Sequence, residues 1–188
     1  MSTPYPQLTD IRLLVLDVDG VLTDGGLYYD TNGLTFKRFN SKDGLGLKLL
    51  LLGRIQVALL SGDPSPISAI RAQRLGIPHV LLGVDDKLEA LRDLAAKMRL
   101  SLNQVAYVGD DLNDLPCLSR VGFGAAPADA APEVLKAVHH ICERRGGEGC
   151  VREVCDLIRH ALRLPVPETL QGPPDGMPVV DVPFSSAP

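Results

Sequence analysis

The chain has 188 residues, the size of one ordinary domain and too short for two full ones. Hydrophobic residues make up 45% and charged residues 22%, the balance of a soluble globular protein that folds without a disulfide or metal staple. With 23 acidic against 19 basic residues the net charge is -4, which excludes a general nucleic-acid binder, because no basic surface is available to neutralise phosphates. Cys117, Cys142, Cys150 and Cys155 form no CxxC pair and read as reduced thiols of a cytosolic protein rather than a zinc site. Residues 1–10 lack the basic-then-apolar pattern of a signal peptide, and Leu49–Leu52 is far short of a membrane span.

In chain order, residues 1–10 form an N-terminal segment, and 11–164 hold alternating strands and helices. Ile11–Leu16 predicts a buried strand, followed by a hairpin over Leu27–Phe39 around the turn signal Asn32-Gly33. Then come a helix at Gly44–Leu52, a strand at Gln56–Leu60, a helix at Pro66–Leu75 and a strand at His79–Leu82. A helix at Lys87–Arg99, a strand at Val105–Val108 and a helix at Leu112–Arg120 follow. The pattern closes with Val121–Gly124, a helix near Pro132–Ala137, a strand near Val138–Cys142 and a helix over Val151–Leu164. Such alternation implies crossovers, hence an α/β fold with a doubly wound, mostly parallel sheet. Ligands of such a sheet bind outside the carboxyl ends of its strands. The hairpin carries Leu27, Tyr29, Leu34, Phe36 and Phe39. A lone hairpin is marginally stable, so this one packs either on its own domain or on another subunit. Residues 165–188 hold seven of the fifteen prolines and no periodic apolar pattern, which reads as a disordered tail.

The strongest chemical signal is Leu14-Val-Leu-Asp17-Val-Asp19-Gly20-Val-Leu-Thr23. Two carboxylates at the end of an apolar strand cost solvation and repulsion unless a cation or a developing charge stabilises them. A calcium loop is disfavoured, because Val21 and Leu22 follow where further ligands are needed. Later strand ends add Ser61-Gly62, Lys87, and Gly109-Asp110-Asp111-Leu-Asn-Asp114. Singly, each could be a helix cap or a solvated side chain. Together they supply carboxylate pairs, a hydroxyl and a lysine at one end of one sheet, which is the inventory of Mg²⁺-assisted phosphoryl transfer. A phosphoacceptor receiver domain uses similar groups, but there the lysine comes late, whereas here Lys87 precedes Asp110. A catalytically silent binding module is expected to have lost Asp17 or Asp19.

With these four motifs in order, the chain resembles the haloacid dehalogenase superfamily of phosphohydrolases over most of residues 11–160. It is most similar to the capless subfamily of 3-deoxy-D-manno-octulosonate 8-phosphate phosphatases. The subfamily signal lies in Asp17–Gly25, Phe39-Asn-Ser-Lys-Asp-Gly44, Tyr107–Asp114 and Gly146-Gly-Glu-Gly-Cys-Val-Arg-Glu-Val-Cys-Asp156. The resemblance implies a Rossmann-like sheet with a hairpin insertion and no cap domain. It implies Asp17 as nucleophile, Asp19 as general acid and base, and Ser61 and Lys87 as phosphate holders. Mg²⁺ would be bound by Asp17, the Asp19 backbone carbonyl and Asp110, with Asp111 and Asp114 in supporting or capping roles. Asn40, Ser41, Lys42, Asp43, Gly44, Lys48, Ser61, Gly62, Arg71 and Lys87 would line the substrate pocket.

The implied product belongs to lipopolysaccharide-type sugar synthesis in the cytoplasm, and the implied assembly is a homotetramer through the hairpin, with no nucleic-acid or membrane partner. Gly146–Gly149 would then be a flexible lid, or else a plain surface loop. One departure stands out: Ser61-Gly62-Asp63 replaces the subfamily's common Thr-Gly-Arg. An anion in place of a cation should weaken binding of an anionic sugar acid, which leaves a nonulosonate 9-phosphate as the alternative substrate.

Overall fold

The computed structural model describes residues 5–167. Its elements are β1 (Leu13–Leu16), β2 (Tyr28–Asp30), β3 (Gly33–Phe36), α1 (Ser41–Leu52), β4 (Gln56–Leu60), α2 (Pro66–Leu75) and β5 (His79–Leu81). They continue with α3 (Lys87–Lys97), β6 (Val105–Val108), α4 (Leu115–Leu118), β7 (Phe123–Ala126), α5 (Pro132–Ala137), β8 (His140–Ile141) and α6 (Cys150–Ala161). Six strands form one parallel sheet in the order β5-β4-β1-β6-β7-β8, and β2 and β3 pair separately as an antiparallel hairpin.

Uninterrupted apolar sequence makes the central strands because both faces of the sheet are covered. Leu14, Leu16, Val57, Leu59, Ala106 and Val108 point into one core, where α1 and α6 pack. Leu13, Val15, Ala58, Leu60, Val105 and Tyr107 point into the other, beneath α3, α4 and α5. Truncating a buried leucine such as Leu14 to alanine costs roughly 2–5 kcal/mol in such a setting. The chain winds outward from β1 through β4 to β5, then α3 carries it back to β6 on the other side of β1. The crevice between β1 and β6 is therefore the topological switch point, where open sheets of this kind hold their ligands.

Several boundaries differ from expectation, each for a local reason. α1 starts at Ser41 rather than Gly44, because Asn40 Oδ1 accepts the Lys42 N–H at 2.9 Å and caps the helix. The helix expected over 112–120 is a 3-10 turn at Leu112–Asp114 followed by the single-turn α4. Pro116 is tolerated only in a first turn, so the α-helical part begins beside it. β7 lies two residues past the expected run, since the Val121 N–H closes the turn after α4 on Cys117 O and the Gly122 N–H donates to Leu102 O. The N-terminal segment is not separate from the core: Leu8 is fully buried, and the Tyr5 ring packs edge-on against Phe123. Most of the expected tail, residues 168–188, lies outside the described residues.

The hairpin is the outlier. Leu27, Tyr29 and Phe36 are 49%, 67% and 54% exposed, so their own domain does not cover them. Tyr28 and Phe36 stack across the hairpin with centroids 4.2 Å apart. Its base is tied down by a bridge between Thr23 and Phe39 and by the buried Lys37. Among the described residues no helix is long and apolar enough to cross a membrane.

Candidate active site

Asp17 leaves the end of β1 with its N–H donating to Val108 O at 2.9 Å, which sets it beside the end of β6. Its carboxylate is 5% exposed and accepts from Lys87 Nζ at 2.9 Å. Lys87 opens α3, is itself buried, and gives a second bond to Asp114 Oδ1 at 2.8 Å. Tyr107 on β6 donates from its hydroxyl to the same Asp114 oxygen at 2.7 Å. The other Asp114 oxygen accepts the Asp110 N–H at 3.0 Å. Asp114 is therefore a buried hub that fixes Lys87 from one side and the Asp110 loop from the other. Asp111 caps the 3-10 turn through the Leu112 N–H at 2.7 Å.

Ligand oxygens of Asp17, Asp110 and Asp114 all lie within 4.8 Å of one another. Repulsion is visible in their proton affinities. Burial, with Asp114 adding to it and Lys87 opposing, pushes Asp17 up to about 6. Burial, with Asp17 and Asp114 adding to it, pushes Asp110 up to about 8. Asp110 Oδ1 is buried with no hydrogen-bond partner. Hard oxygen donors, an unsatisfied buried carboxylate oxygen and surplus negative charge are the donor set of Mg²⁺. Asp110 Oδ1 is the open arm of this set, because both Asp114 oxygens are engaged and Asp17 Oδ1 is held by Lys87. Gly20, at φ +87°, passes directly over Asp110, and a Cβ there would overlap its carboxylate.

The other expected residues divide into two groups. Ser61 is 1% exposed at the end of β4, and its Oγ accepts the Asp63 N–H at 3.1 Å, leaving the hydroxyl hydrogen to donate. Gly62 follows, and a Cβ there would sit in ordinary contact with Val84 O at 3.7 Å. Arg71 on α2 lies over the Phe39 ring at 5.7 Å and donates to Asn40 O at 3.3 Å, so it borders the site by way of α1. Asn40 donates from Nδ2 to Gly147 O at 3.1 Å. Ser41, Lys42 and Lys48 are exposed along α1. Lys42 lines a surface groove of about 580 Å³ with Arg152, Asp156 and His160.

Two expectations need correction. Asp43 does not line a pocket: it is 1% exposed and accepts the Arg152 N–H at 2.7 Å at the start of α6. Burial pushes it up to about 6, against the hydrogen bonds of Arg152 and Gly149. Gly44 is likewise interior, pressed against the Arg71 guanidinium. Nor is Gly146–Gly149 a flexible lid or a plain surface loop. The Gly147 N–H donates to Val21 O at 3.0 Å and the Gly146 N–H to Asp129 Oδ1 at 3.0 Å. A Cβ at Gly146 would overlap Gly20 O. These glycines are present because two backbones touch there, and the run braces the loop that carries Asp17 and Asp19.

Two participants escaped the sequence reading. Tyr107 looked like an ordinary strand residue, although a tyrosine facing a core beside an acidic strand end signals a buried hydroxyl needing an acceptor. Lys37 looked like one charge of a hairpin. Its Nζ lies 2.7 and 2.8 Å from the two Asp19 oxygens and 2.5 Å from Asp63 Oδ2. Asp63 is therefore not a free anion at the strand end, because it is paired with Lys37 from the hairpin.

A buried carboxylate with a fixed lysine, a second carboxylate loop and a hydroxyl at the switch point define a phosphotransfer site of the haloacid dehalogenase class. Comparison with known proteins agrees. A profile of haloacid dehalogenase-like hydrolases matches residues 79–153. A 3-deoxy-D-manno-octulosonate 8-phosphate phosphatase of Yersinia pestis is 45% identical over 149 residues, 79% of this chain and 80% of that one. A crystal structure of such a phosphatase from Moraxella catarrhalis, in complex with magnesium ion, phosphate ion and KDO, superimposes with a TM-score of 0.83. It is 40% identical, covering 85% of this chain and 91% of that chain. The cobalt-bound form of the Haemophilus influenzae enzyme gives a TM-score of 0.81 at 44% identity, over 84% and 92% of the two chains. The chain belongs to the haloacid dehalogenase-like hydrolases and, within them, to the family of 3-deoxy-D-manno-octulosonate 8-phosphate phosphatases.

Proposed function

We propose that the protein hydrolyses 3-deoxy-D-manno-octulosonate 8-phosphate to the free sugar acid and phosphate, in the cytoplasm and with Mg²⁺. One coincidence supports this. A chain 45% identical to a phosphatase named for that ester places a buried carboxylate, a lysine and a carboxylate loop in one crevice.

Asp17 attacks phosphorus; the bond from phosphorus to the sugar oxygen breaks as the bond to the Asp17 oxygen forms. Asp19 gives its proton to the departing alkoxide, then takes one from the water that releases phosphate and regenerates Asp17. Lys87, and the Ser61 hydroxyl, bind phosphate oxygens and stabilise the charge that spreads over them. Asp17, the Asp19 backbone carbonyl and Asp110 would hold Mg²⁺, which supplies the charge neutralisation that lets a carboxylate approach a phosphate dianion. Asn40, Lys48 and Arg71 border the sugar end, and Asp114, Tyr107 and Asp43 hold the frame.

The exposed apolar hairpin supports assembly of several copies, a homotetramer in keeping with the sequence pattern. The experiment is phosphate release with Mg²⁺ from octulosonate 8-phosphate, nonulosonate 9-phosphates, simple sugar phosphates and an aryl phosphate, with Asp17→Asn alongside. A strong preference for the octulosonate ester, lost in Asp17→Asn, is the expected result. Preference for a nonulosonate ester moves the substrate and keeps the chemistry; turnover surviving Asp17→Asn overturns the mechanism.

A further inference from the structure

Lys37 closes the hairpin where β3 runs back toward α1. Its side chain is fully shielded from solvent, and its ammonium hydrogen-bonds Asp19 Oδ2 and Asp63 Oδ2 while lying 2.7 Å from Asp19 Oδ1. Burial acts against the charge, and the two carboxylates outweigh it, so the lysine stays protonated. Asp63 is itself restrained: its N–H donates to Ser61 Oγ at 3.1 Å, and its Oδ1 accepts the Ser65 N–H at 3.2 Å. A continuous chain of contacts thus runs from the phosphate-facing Ser61 through Asp63 and Lys37 to Asp19.

We propose that Lys37 is a positioning residue for Asp19: it holds the carboxylate that handles the leaving-group proton, with Asp63 as its second anchor. This rests on the roles given above to Asp17 and Asp19. A proton-transfer group must be kept within hydrogen-bond reach of the reacting oxygen. Asp19 projects from a glycine-bearing loop with its side chain 28% exposed, and a short carboxylate there swings freely unless something grips it. Lys37 hydrogen-bonds one Asp19 oxygen, Oδ2, at 2.8 Å and leaves Oδ1, 2.7 Å from the ammonium, buried with no hydrogen-bond partner. The pairing also gives Asp63 a purpose in place of the arginine that the sequence pattern favours. The anion holds the ammonium in the crevice wall when a negatively charged ester arrives.

The signature is leaving-group dependence. An alkyl phosphate needs a proton on its departing oxygen, whereas 4-nitrophenyl phosphate leaves without one. Purified, Mg²⁺-loaded Lys37→Met and Lys37→Gln are compared with Asp19→Asn and the parent on both esters. Lys37→Met is expected to lose roughly 30- to 100-fold in kcat on the alkyl ester and under about threefold on the aryl ester, following Asp19→Asn at smaller size. Asp63→Asn is expected to show the same sign at a few-fold. Equal losses on both esters in Lys37→Met and Lys37→Gln, or a rise in KM for the sugar-acid ester alone, overturn the proposal; the latter would make Lys37 a substrate-binding cation. If Asp19→Asn itself shows no leaving-group dependence, the role of Asp19 fails first and the proposal with it. Melting of each variant separates these losses from misfolding.

Discussion

The crevice between β1 and β6 and the β2–β3 hairpin are built by opposite rules. In the crevice, charged groups are buried and most are tied to one another, Lys87 to Asp17 and Asp114, and Asp114 to Tyr107 and the Asp110 N–H, while Asp110 Oδ1 is left without a partner. In the hairpin, large apolar groups stand in solvent with little beneath them. The first region gathers charge in a buried place. The second leaves apolar side chains that its own domain does not cover. A chain under selection for stability alone keeps neither. The two meet at Lys37, which belongs to the hairpin by sequence and to the crevice by contact.

If the crevice is a set of mutually dependent charges, removing its central cation has the largest effect. Lys87→Met leaves Asp17 and Asp114 facing each other unpaired in a buried place, which costs about 3–5 kcal/mol of stability. It also deprives the transferring phosphoryl group of its fixed positive charge, worth roughly 10²- to 10³-fold in kcat. Denaturant melts with and without Mg²⁺ and steady-state rates measure both. A variant as stable as the parent without metal would show that the carboxylates are not straining against one another.

The second test uses the proton that the crowded carboxylates retain. Without metal, Asp110 is raised to about 8 and Asp17 to about 6, each chiefly by burial. Below those values the cluster carries protons that Mg²⁺ must displace. Apparent Mg²⁺ affinity is therefore expected to fall as pH drops from 8 through 6, with about one proton released per ion bound at pH 7. The same shifts carry a stability sign: folded-state values above the ordinary 3.8 favour the metal-free fold at low pH, and that advantage is lost as pH rises through about 6 and about 8. Titration calorimetry in two buffers of different ionisation enthalpy reads the proton count. No release would mean the cluster is already ionised.

Much of the sheet can be read from sequence, because β1, β4 and β6 are apolar on both faces and need no tertiary context to be recognised. α2 is bounded without ambiguity by Ser65, Pro66 and Gly76, a cap, a first-turn proline and a left-handed stop. Asp17, Asp19, Ser61, Lys87 and Asp110 stand out for a related reason: each falls within three residues of a strand end or at a helix start. Lys37 and the glycine run do not, since their meaning comes from contacts between segments far apart in the chain. Lys37 reaches back 18 residues to Asp19 and forward 26 to Asp63. Gly147 reaches across to Val21. Asp43 misleads for the opposite reason: it sits within a motif that looks like pocket lining, yet the turn of α1 points it inward at α6.

The smallest expected effect on the single chain falls on the hairpin, and its smallness is the point. Tyr29 and Phe36 are more than half exposed, so replacing both with lysine should shift the stability of an isolated copy by no more than about 0.5 kcal/mol. The same change places like charges on any surface shared between copies, where a few such groups cost several kcal/mol. Light scattering of the Tyr29→Lys/Phe36→Lys variant should then show single copies where the parent is larger, and the parent alone should melt at a temperature that rises with its concentration. Loss of more than about 2 kcal/mol in a variant that is monomeric, like the parent at the same dilution, would mean the hairpin is part of the fold. The contrast with the crevice would then collapse. If size changes while the melt of the dilute chain does not, the hairpin is surface held in reserve for another copy, anchored to Asp19 and Asp63 through Lys37.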